Sequence, residues 1–77
     1  MTLKIISAED VLFEGTVDSV TLPGTQGSFM VLHNHASLIS TLEAGVVRYV
    51  ANGDTGEIEV NGGLVDVDNN VVSVCIY

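Results

Sequence analysis

Short runs of apolar and β-branched residues, separated by turn residues, make up most of the chain. Residues 3–6, 16–22 and 28–32 are short runs that contain Val, Ile, Thr or Phe, which favour strands. At residues 57–60 polar and apolar side chains alternate strictly, which is typical of a strand with one solvated and one buried face. No helical pattern is long enough to form a stable helix. The pattern therefore predicts an all-β protein.

Turn residues mark where these strands reverse. Residues 24–27, Gly-Thr-Gln-Gly, predict one reversal, Asn52-Gly53 predicts a hairpin, and residues 68–70, Asp-Asn-Asn, predict another. The remaining predicted strands are residues 46–50, 57–60, 64–67 and 71–77, and residues 37–42 are interpreted as a strand or an extended segment. Many short strands joined by tight turns predict a small two-sheet β-sandwich or flattened barrel, forming one domain over residues 1–77.

The charge balance narrows the possible partners. Ten acidic residues stand against two basic ones, Lys4 and Arg48, and the formal net charge is −8. Nucleic-acid binding needs several cations to neutralise phosphates, so this class of function is excluded, as is direct docking on anionic lipid. The acidic residues are interpreted as a solvated face or as a docking face for a basic partner.

The single cysteine, Cys75, leaves no pair for an intrachain disulfide. A small secreted domain is usually rich in disulfides, so a reducing compartment is favoured. Because Cys75 lies in an apolar run, we expect it to be a buried packing residue. No stretch approaches the roughly 20 apolar residues that a membrane-spanning helix needs.

Candidate chemistry is sparse. His33 and His35 lie two positions apart, so on an extended backbone both would point to the same side and offer two ligands to zinc, but spacing fixes no further ligand. Residues 66–70 begin like a calcium loop, yet Val71 stands where that loop needs Gly. The sequence contains neither a phosphate-binding Gly-Lys-Ser/Thr nor a nucleophile elbow. We expect no catalytic, cofactor-binding or metal site and no small-molecule substrate.

One longer pattern is more specific than these motifs. Residues 17–29 read V-D-S-V-T-L-P-G-T-Q-G-S-F, and G-V-V-R follows at residues 45–48. The segments G-G-L-V-D-V at 62–67 and N-N-V-V-S-V at 69–74 complete it. Together they resemble the N-terminal sandwich domain of the epsilon subunit of F-type ATP synthases, and the resemblance covers essentially the whole chain.

The resemblance implies a non-catalytic subunit of the central stalk. Such a subunit binds the gamma subunit and the c-ring, and it couples their rotation to ATP synthesis in a proton-translocating enzyme whose catalytic sites lie on other subunits. It implies a peripheral location on the cytoplasmic, or equivalent stromal or matrix, face of the membrane, with membrane association only through the complex.

The resemblance also implies a loop that faces the c-ring. Its expected residues are Ser28, Phe29, Met30, His33, Asn34, His35 and Ser40. The family usually has Glu at the position of Ser28, Gly at that of Met30 and Pro-Gly at residues 33–34. Asn34 can supply the backbone freedom of that Gly.

The end of the chain differs from the usual family pattern. The family usually continues into a two-helix hairpin, so a chain that stops at Tyr77 is interpreted as a short form, natural or truncated.

The first rival function is a free-standing acidic adaptor that binds basic proteins. The second is a small metal-dependent enzyme built on His33 and His35.

Overall fold

A computed structural model describes residues 1–77, and all of its regular secondary structure is β-strand. The nine strands are β1 Thr2–Ile6, β2 Val11–Thr16, β3 Ser19–Gly24, β4 Gly27–Val31, β5 Leu38–Leu42, β6 Gly45–Ala51, β7 Asp54–Val60, β8 Gly63–Asp68 and β9 Val71–Ile76. The all-β prediction is confirmed. None of the regular structure is helical, so there is no helix capable of crossing a membrane.

The strands form one continuous sheet that bends into two layers at β3. Val20 of β3 pairs with Val31 of β4 on one edge and with Tyr49 of β6 on the other. Strand β5 also pairs with β3, on the same edge as β6, but only at one position, where Gly24 of β3 pairs with Leu42 of β5. One layer is therefore β2-β1-β9-β8-β5 and the other is β7-β6-β3-β4. This curled sheet is the predicted small sandwich.

Strand alternation fills the space between the layers with aliphatic side chains. In β8, Val65 and Val67 are fully enclosed, while the alternate residues Leu64, Asp66 and Asp68 are exposed. No polar or charged side chain is buried with the core. The buried hydrophobic residues are Leu3, Ile5, Val17, Val20, Leu22, Val31, Leu42, Val47, Val60, Val65, Val67, Val72 and Val74.

The predicted hairpin turns are confirmed. Asn52 and Gly53 have φ of 53° and 83° and form the two-residue loop between β6 and β7. Asn69 and Asn70 have φ of 50° and 62° and join β8 to β9 in the same way. Positive φ at both loop positions is the mark of a type I′ turn, whose twist matches that of the flanking strands.

The predicted strand at residues 16–22 is wrong at its beginning, and β2 was not predicted. The register of β2 shifts between its partners on β1: Phe13 pairs with Ile5 but Val11 pairs with Ile6, so Leu12 is an additional, bulged residue. A bulge of this kind breaks the alternation that marks a strand. The chain then turns at Asp18, whose N–H donates to the Val50 carbonyl at 2.6 Å.

The expectation that Cys75 is buried is also wrong. Cys75 is exposed, because β9 directs Val72 and Val74 into the core and therefore directs the intervening residues outward. An apolar run can lie on a strand that has only one covered face.

The loops lie at two opposite ends of the sandwich, because consecutive strands run in opposite directions and the chain returns to the same end after every second strand. The loops at one end, here named the first end, consist of Met1 and residues 17–18, 32–37, 52–53 and 69–70. The second end consists of residues 7–10, 25–26, 43–44, 61–62 and Tyr77.

Candidate functional site

The candidate site begins with a tight turn in the loop between β4 and β5. The N–H of His35 donates to the Leu32 carbonyl at 3.2 Å and closes the turn. Asn34, at its third position, has φ of 60°. A positive φ there is typical of a type II turn and favours Gly or Asn. The prediction that Asn34 supplies the backbone freedom of glycine is confirmed.

Asn34 is fastened to the β8–β9 hairpin by a reciprocal pair of hydrogen bonds. Its backbone N–H donates to Oδ1 of Asn70 at 2.6 Å, and Nδ2 of Asn70 donates to Oδ1 of Asn34 at 3.0 Å. The carbonyl of Asn70 in turn accepts the N–H of Thr2 at 2.9 Å. Asn70 therefore joins the loop, the hairpin and the beginning of β1.

Two further contacts hold the same loop. The hydroxyl of Ser37 donates to Oδ1 of Asp68 at 2.8 Å. At the other side of the loop, Nδ1 of His33 lies 3.5 Å from the amino group of Met1. The loop is thus connected to the β8–β9 hairpin at two points and to the amino terminus at one, so its exposed side chains project from a fixed backbone.

The two histidines do not lie on an extended backbone, and that expectation is wrong. The turn at residues 32–35 separates them. Nδ1 of His33 approaches the amino terminus, whereas Nδ1 of His35 lies 2.7 Å from the Ala36 carbonyl. No group of three or more His, Cys, Asp or Glu side chains is arranged to hold a metal ion. The structure therefore gives the zinc-enzyme interpretation no support.

The seven residues expected to face the c-ring do not form one compact site. Ser28, Met30, His33, Asn34 and His35 are exposed. Phe29 and Ser40 are half-buried, since Phe29 packs against the core and Ser40 shares its side of β5 with Leu42. At about 3.3 Å per residue, Ser28 lies roughly 17 Å along the chain from His33. The exposed members thus run along the β4 edge and end in the fixed loop.

The sequence did not reveal the residues that complete this loop surface. The turn at residues 69–70 is visible in the sequence, but the pairing of Asn70 with Asn34, 36 positions away, leaves no local signal. The result is a shallow polar depression that presents amide, hydroxyl and imidazole groups suited to hydrogen bonding with a polar partner loop. Its lining residues are Asn34, His35, Ala36, Ser37, Asn69 and Asn70.

Residues 1–76 match the family of the ATP synthase delta/epsilon chain, β-sandwich domain. The ATP synthase epsilon chain of Desulfitobacterium hafniense is 41% identical over 73 residues, which are 95% of this chain and 55% of that one. The epsilon chain of Leptospira borgpetersenii is 39% identical over 74 residues, which are 96% of this chain and 58% of that one. The chain spans about half the length of the curated relatives it matches.

Solved structures share the fold at low sequence identity. A chain of the Euglena gracilis mitochondrial ATP synthase superposes with a TM-score of 0.89 at 19% identity, covering 96% of this chain and 48% of that one. A chain of the Tetrahymena thermophila mitochondrial ATP synthase, in a structure of its central stalk and c-ring, gives 0.80 at 14% identity, covering 97% and 61%. The family match extends over all nine strands, and this chain belongs to the ATP synthase delta/epsilon family as its β-sandwich domain.

Proposed function

We propose that this chain is the sandwich of an epsilon subunit in the central stalk of a proton-translocating F-type ATP synthase. It binds the gamma subunit and the c-ring, rotates with them and helps to couple that rotation to ATP synthesis. It performs no chemistry, and the nucleotide sites lie on other subunits. It is held at the cytoplasmic, or equivalent stromal or matrix, face of the membrane only through the complex.

The observation that carries this proposal is the continuous match to epsilon chains. The match of 41% identity covers 95% of the chain, so it extends over nearly all of the strands and the turns between them. The small domain offers no alternative chemistry, because its buried residues are all apolar or glycine and its depressions are shallow. A rigid body with a large exposed surface is suited to binding neighbouring proteins.

The fixed loop at the first end is proposed as the part of the chain that meets the c-ring. Its contact side chains are the exposed imidazoles of His33 and His35, and Met30 on the adjoining strand β4, 54% exposed, adds a thioether. Asn34 holds their backbone through Asn70. Phe29 and Ser40 would act through the position of β4 and β5, since neither projects fully into solvent.

The test is photocrosslinking in the complete ATP synthase of the source organism. A photoreactive residue is placed at His35, and the matched control is placed at Asn61, which is exposed at the second end. The proposal expects a crosslink to the c-ring from position 35 and none from position 61. Co-purification of the tagged chain with the gamma subunit is measured on the same sample. Absence of the chain from purified ATP synthase would overturn the proposed function itself.

The acidic adaptor remains a second candidate because of the net charge of −8 and because only one salt bridge, Arg48–Glu57, engages any of the ten acids. An adaptor that binds through exposed charge should lose its partner steeply as salt rises, since screening shortens the range of such interactions. The stalk subunit should instead stay in its complex through a high-salt wash.

A further inference from the structure

Strand β4 has one edge that no other part of the chain covers. It pairs only with β3, and the pairing aligns Pro23 with Ser28 and Thr21 with Met30. Pro23 has no N–H, and its carbonyl accepts the N–H of Glu43 at 2.8 Å, on the side of β3 away from β4. Pro23 and Ser28 are therefore a non-hydrogen-bonded pair, so the N–H and carbonyl of Ser28 point away from β3. Because backbone directions alternate along a strand, the N–H and carbonyl of Met30 point the same way.

Strands β2 and β7 also pair with a single neighbour, but both are protected against further pairing. β2 has a bulge at Leu12 and the exposed carboxylate of Glu14. β7 has three exposed carboxylates, Asp54, Glu57 and Glu59. Bulges and edge charges are the usual devices that prevent strands of separate molecules from pairing. β4 contains no charged residue, and its register with β3 is regular.

The side chains beside the free edge of β4 are apolar. Met30 is 54% exposed, and Leu32, directly after the strand, is 53% exposed. Phe29 packs against the core but is only half-buried. A strand added to β4 would satisfy the outward backbone groups and cover part of this apolar surface. An uncharged edge strand with exposed apolar side chains is a site where another strand is expected to pair.

The free edge also belongs to the uncharged stretch of a strongly acidic chain. Residues 19–42, which include β3, β4 and β5, contain no Asp, Glu, Lys or Arg. All ten acidic residues and both basic ones lie outside this stretch. A basic partner would be attracted to the acidic parts of the surface and not to this edge. A second copy of the chain, which repels the first through its net charge of −8, can approach most easily where neither copy presents a carboxylate.

We propose that β4 is a self-association edge, at which a second copy of this chain adds its own β4 antiparallel across a twofold axis. With the axis at Phe29 the two strands overlap completely, and Ser28 lies opposite the partner's Met30. Both positions point their backbone groups outward, so each such pair exchanges two N–H···O bonds between the copies. The two Phe29 rings become direct cross-strand neighbours, a favourable arrangement for aromatic side chains. The inference goes beyond the proposed function and does not depend on it.

The dimer should be weak and should strengthen with salt. Five residues of strand give a contact roughly 17 Å long. Such a contact is smaller than a standard interface, so we expect a dissociation constant of roughly 100 μM. Raising the ionic strength from about 0.01 M to about 0.15 M shortens the Debye length from about 30 Å to about 8 Å, so the repulsion between the two acidic copies falls. Because β4 leads into the loop proposed to meet the c-ring, this pairing belongs to the chain outside its complex.

The first test compares two charge insertions by sedimentation equilibrium of the purified chain. Met30→Glu places a carboxylate on the free edge, and Leu64→Glu places one at a similarly exposed position, 45%, on β8, which is paired on both sides. Like charges brought together at an interface are costly. Met30→Glu should raise the dissociation constant of the dimer by about tenfold or more, and Leu64→Glu by less than about twofold. Equal effects would assign the dimer to another surface, and an unmodified chain that stays monomeric up to about 1 mM would overturn the proposal.

The second test removes one backbone donor. Ser28→Pro deletes an N–H that points away from β3, so the β3–β4 pairing is retained and proline is tolerated at such an edge position. Ser28→Pro should abolish the dimer, whereas the control Ser28→Ala, which keeps the N–H, should dimerise like the unmodified chain. Dimerisation that survives Ser28→Pro would show that the copies do not pair through this edge.

Amide hydrogen exchange of the unmodified chain provides a readout that no variant can confuse through loss of fold. As the protein concentration rises, exchange at Ser28 and Met30 should slow, while exchange at Phe29, whose N–H points toward β3, should stay constant. Slowing that is absent from Ser28 and Met30 would overturn the proposal. Thermal unfolding identifies any variant that does not fold, and in that event the exchange measurement decides. The proposed function is tested separately, by the presence of the chain in purified ATP synthase.

Discussion

The amide side chains of Asn34 and Asn70 hold each other across 36 positions of sequence. Both residues have a positive φ, so each is located in a turn that few residue types adopt easily. The pair couples the conformation of the β4–β5 loop to that of the β8–β9 hairpin. The surface proposed to meet the c-ring therefore depends on a residue outside the loop itself.

Asn70→Gly should loosen this loop without straining the hairpin, because glycine adopts a positive φ freely. The loss of both side-chain hydrogen bonds should lower the free energy of unfolding by about 1 kcal/mol. It should also speed amide hydrogen exchange at Asn34. Asn69→Gly is the matched control, since Asn69 occupies the same turn with no side-chain hydrogen bond to Asn34. Equal effects of the two substitutions would mean that the pair does not fix the loop.

Replacing an isoleucine by alanine should cost far more stability in the core than on the surface. Ile5 is fully buried and Ile39 is 71% exposed, yet both lie in strands. Ile5→Ala should destabilise the fold by about 2–5 kcal/mol, because it removes buried methyl groups and leaves a cavity. That loss is comparable to the whole stability of a domain this small, about 3–5 kcal/mol.

Ile39→Ala should change the free energy of unfolding by less than about 0.5 kcal/mol. Urea denaturation monitored by circular dichroism measures both variants. A large loss of stability for Ile39→Ala in the isolated chain would contradict the exposed position of that side chain.

Gly56→Ala should destabilise the protein, although alanine usually suits a strand better than glycine. The ring of Tyr49 lies directly over Gly56, and an added Cβ would overlap it. Tyr49 also packs against Phe13 with ring centroids 4.2 Å apart, which joins the β2 edge of one layer to β6 of the other. Displacing the ring should cost about 1–3 kcal/mol.

The second arm of that test is Gly56→Ala in a Tyr49→Leu background. The smaller side chain leaves room for the Cβ, so the penalty should largely disappear and the two substitutions should couple. If the Gly56→Ala and Tyr49→Leu losses in the thermal unfolding midpoint simply add, overlap with the Tyr49 ring is not the reason that position 56 requires glycine.

Zinc should not stabilise the chain. His33 and His35 face different neighbours, and no third ligand lies with them. A ligand that binds only the folded state raises the free energy of unfolding by RT ln(1 + [L]/Kd), so a site with real affinity would raise the unfolding midpoint. We therefore expect equimolar zinc to leave the midpoint of thermal unfolding unchanged, and the His33→Ala variant to behave identically. A zinc-dependent rise that this variant abolishes would restore the metal-site hypothesis.

The sequence alone determined the fold class and the main reversals. Alternation at residues 57–60 and the Asn52-Gly53 turn are local signals, because strand parity and turn conformation depend on a few adjacent residues. The family segments at residues 17–29 and 62–67 identified the domain for the same reason, since each is read within one stretch of chain. Strand β2, residues 11–16, escaped prediction because the bulge at Leu12 interrupts the alternation of polar and apolar residues.

Only the tertiary structure decided which surfaces those elements build. Whether Cys75 is covered depends on what packs over β9, and nothing in its own strand specifies that. The contact of Asn34 with Asn70 and the side-by-side positions of Ile6, Cys75 and Leu64 arise from pairing between distant segments. Cross-strand neighbours are set by register and by the bend of the sheet at β3, which are global properties of the chain.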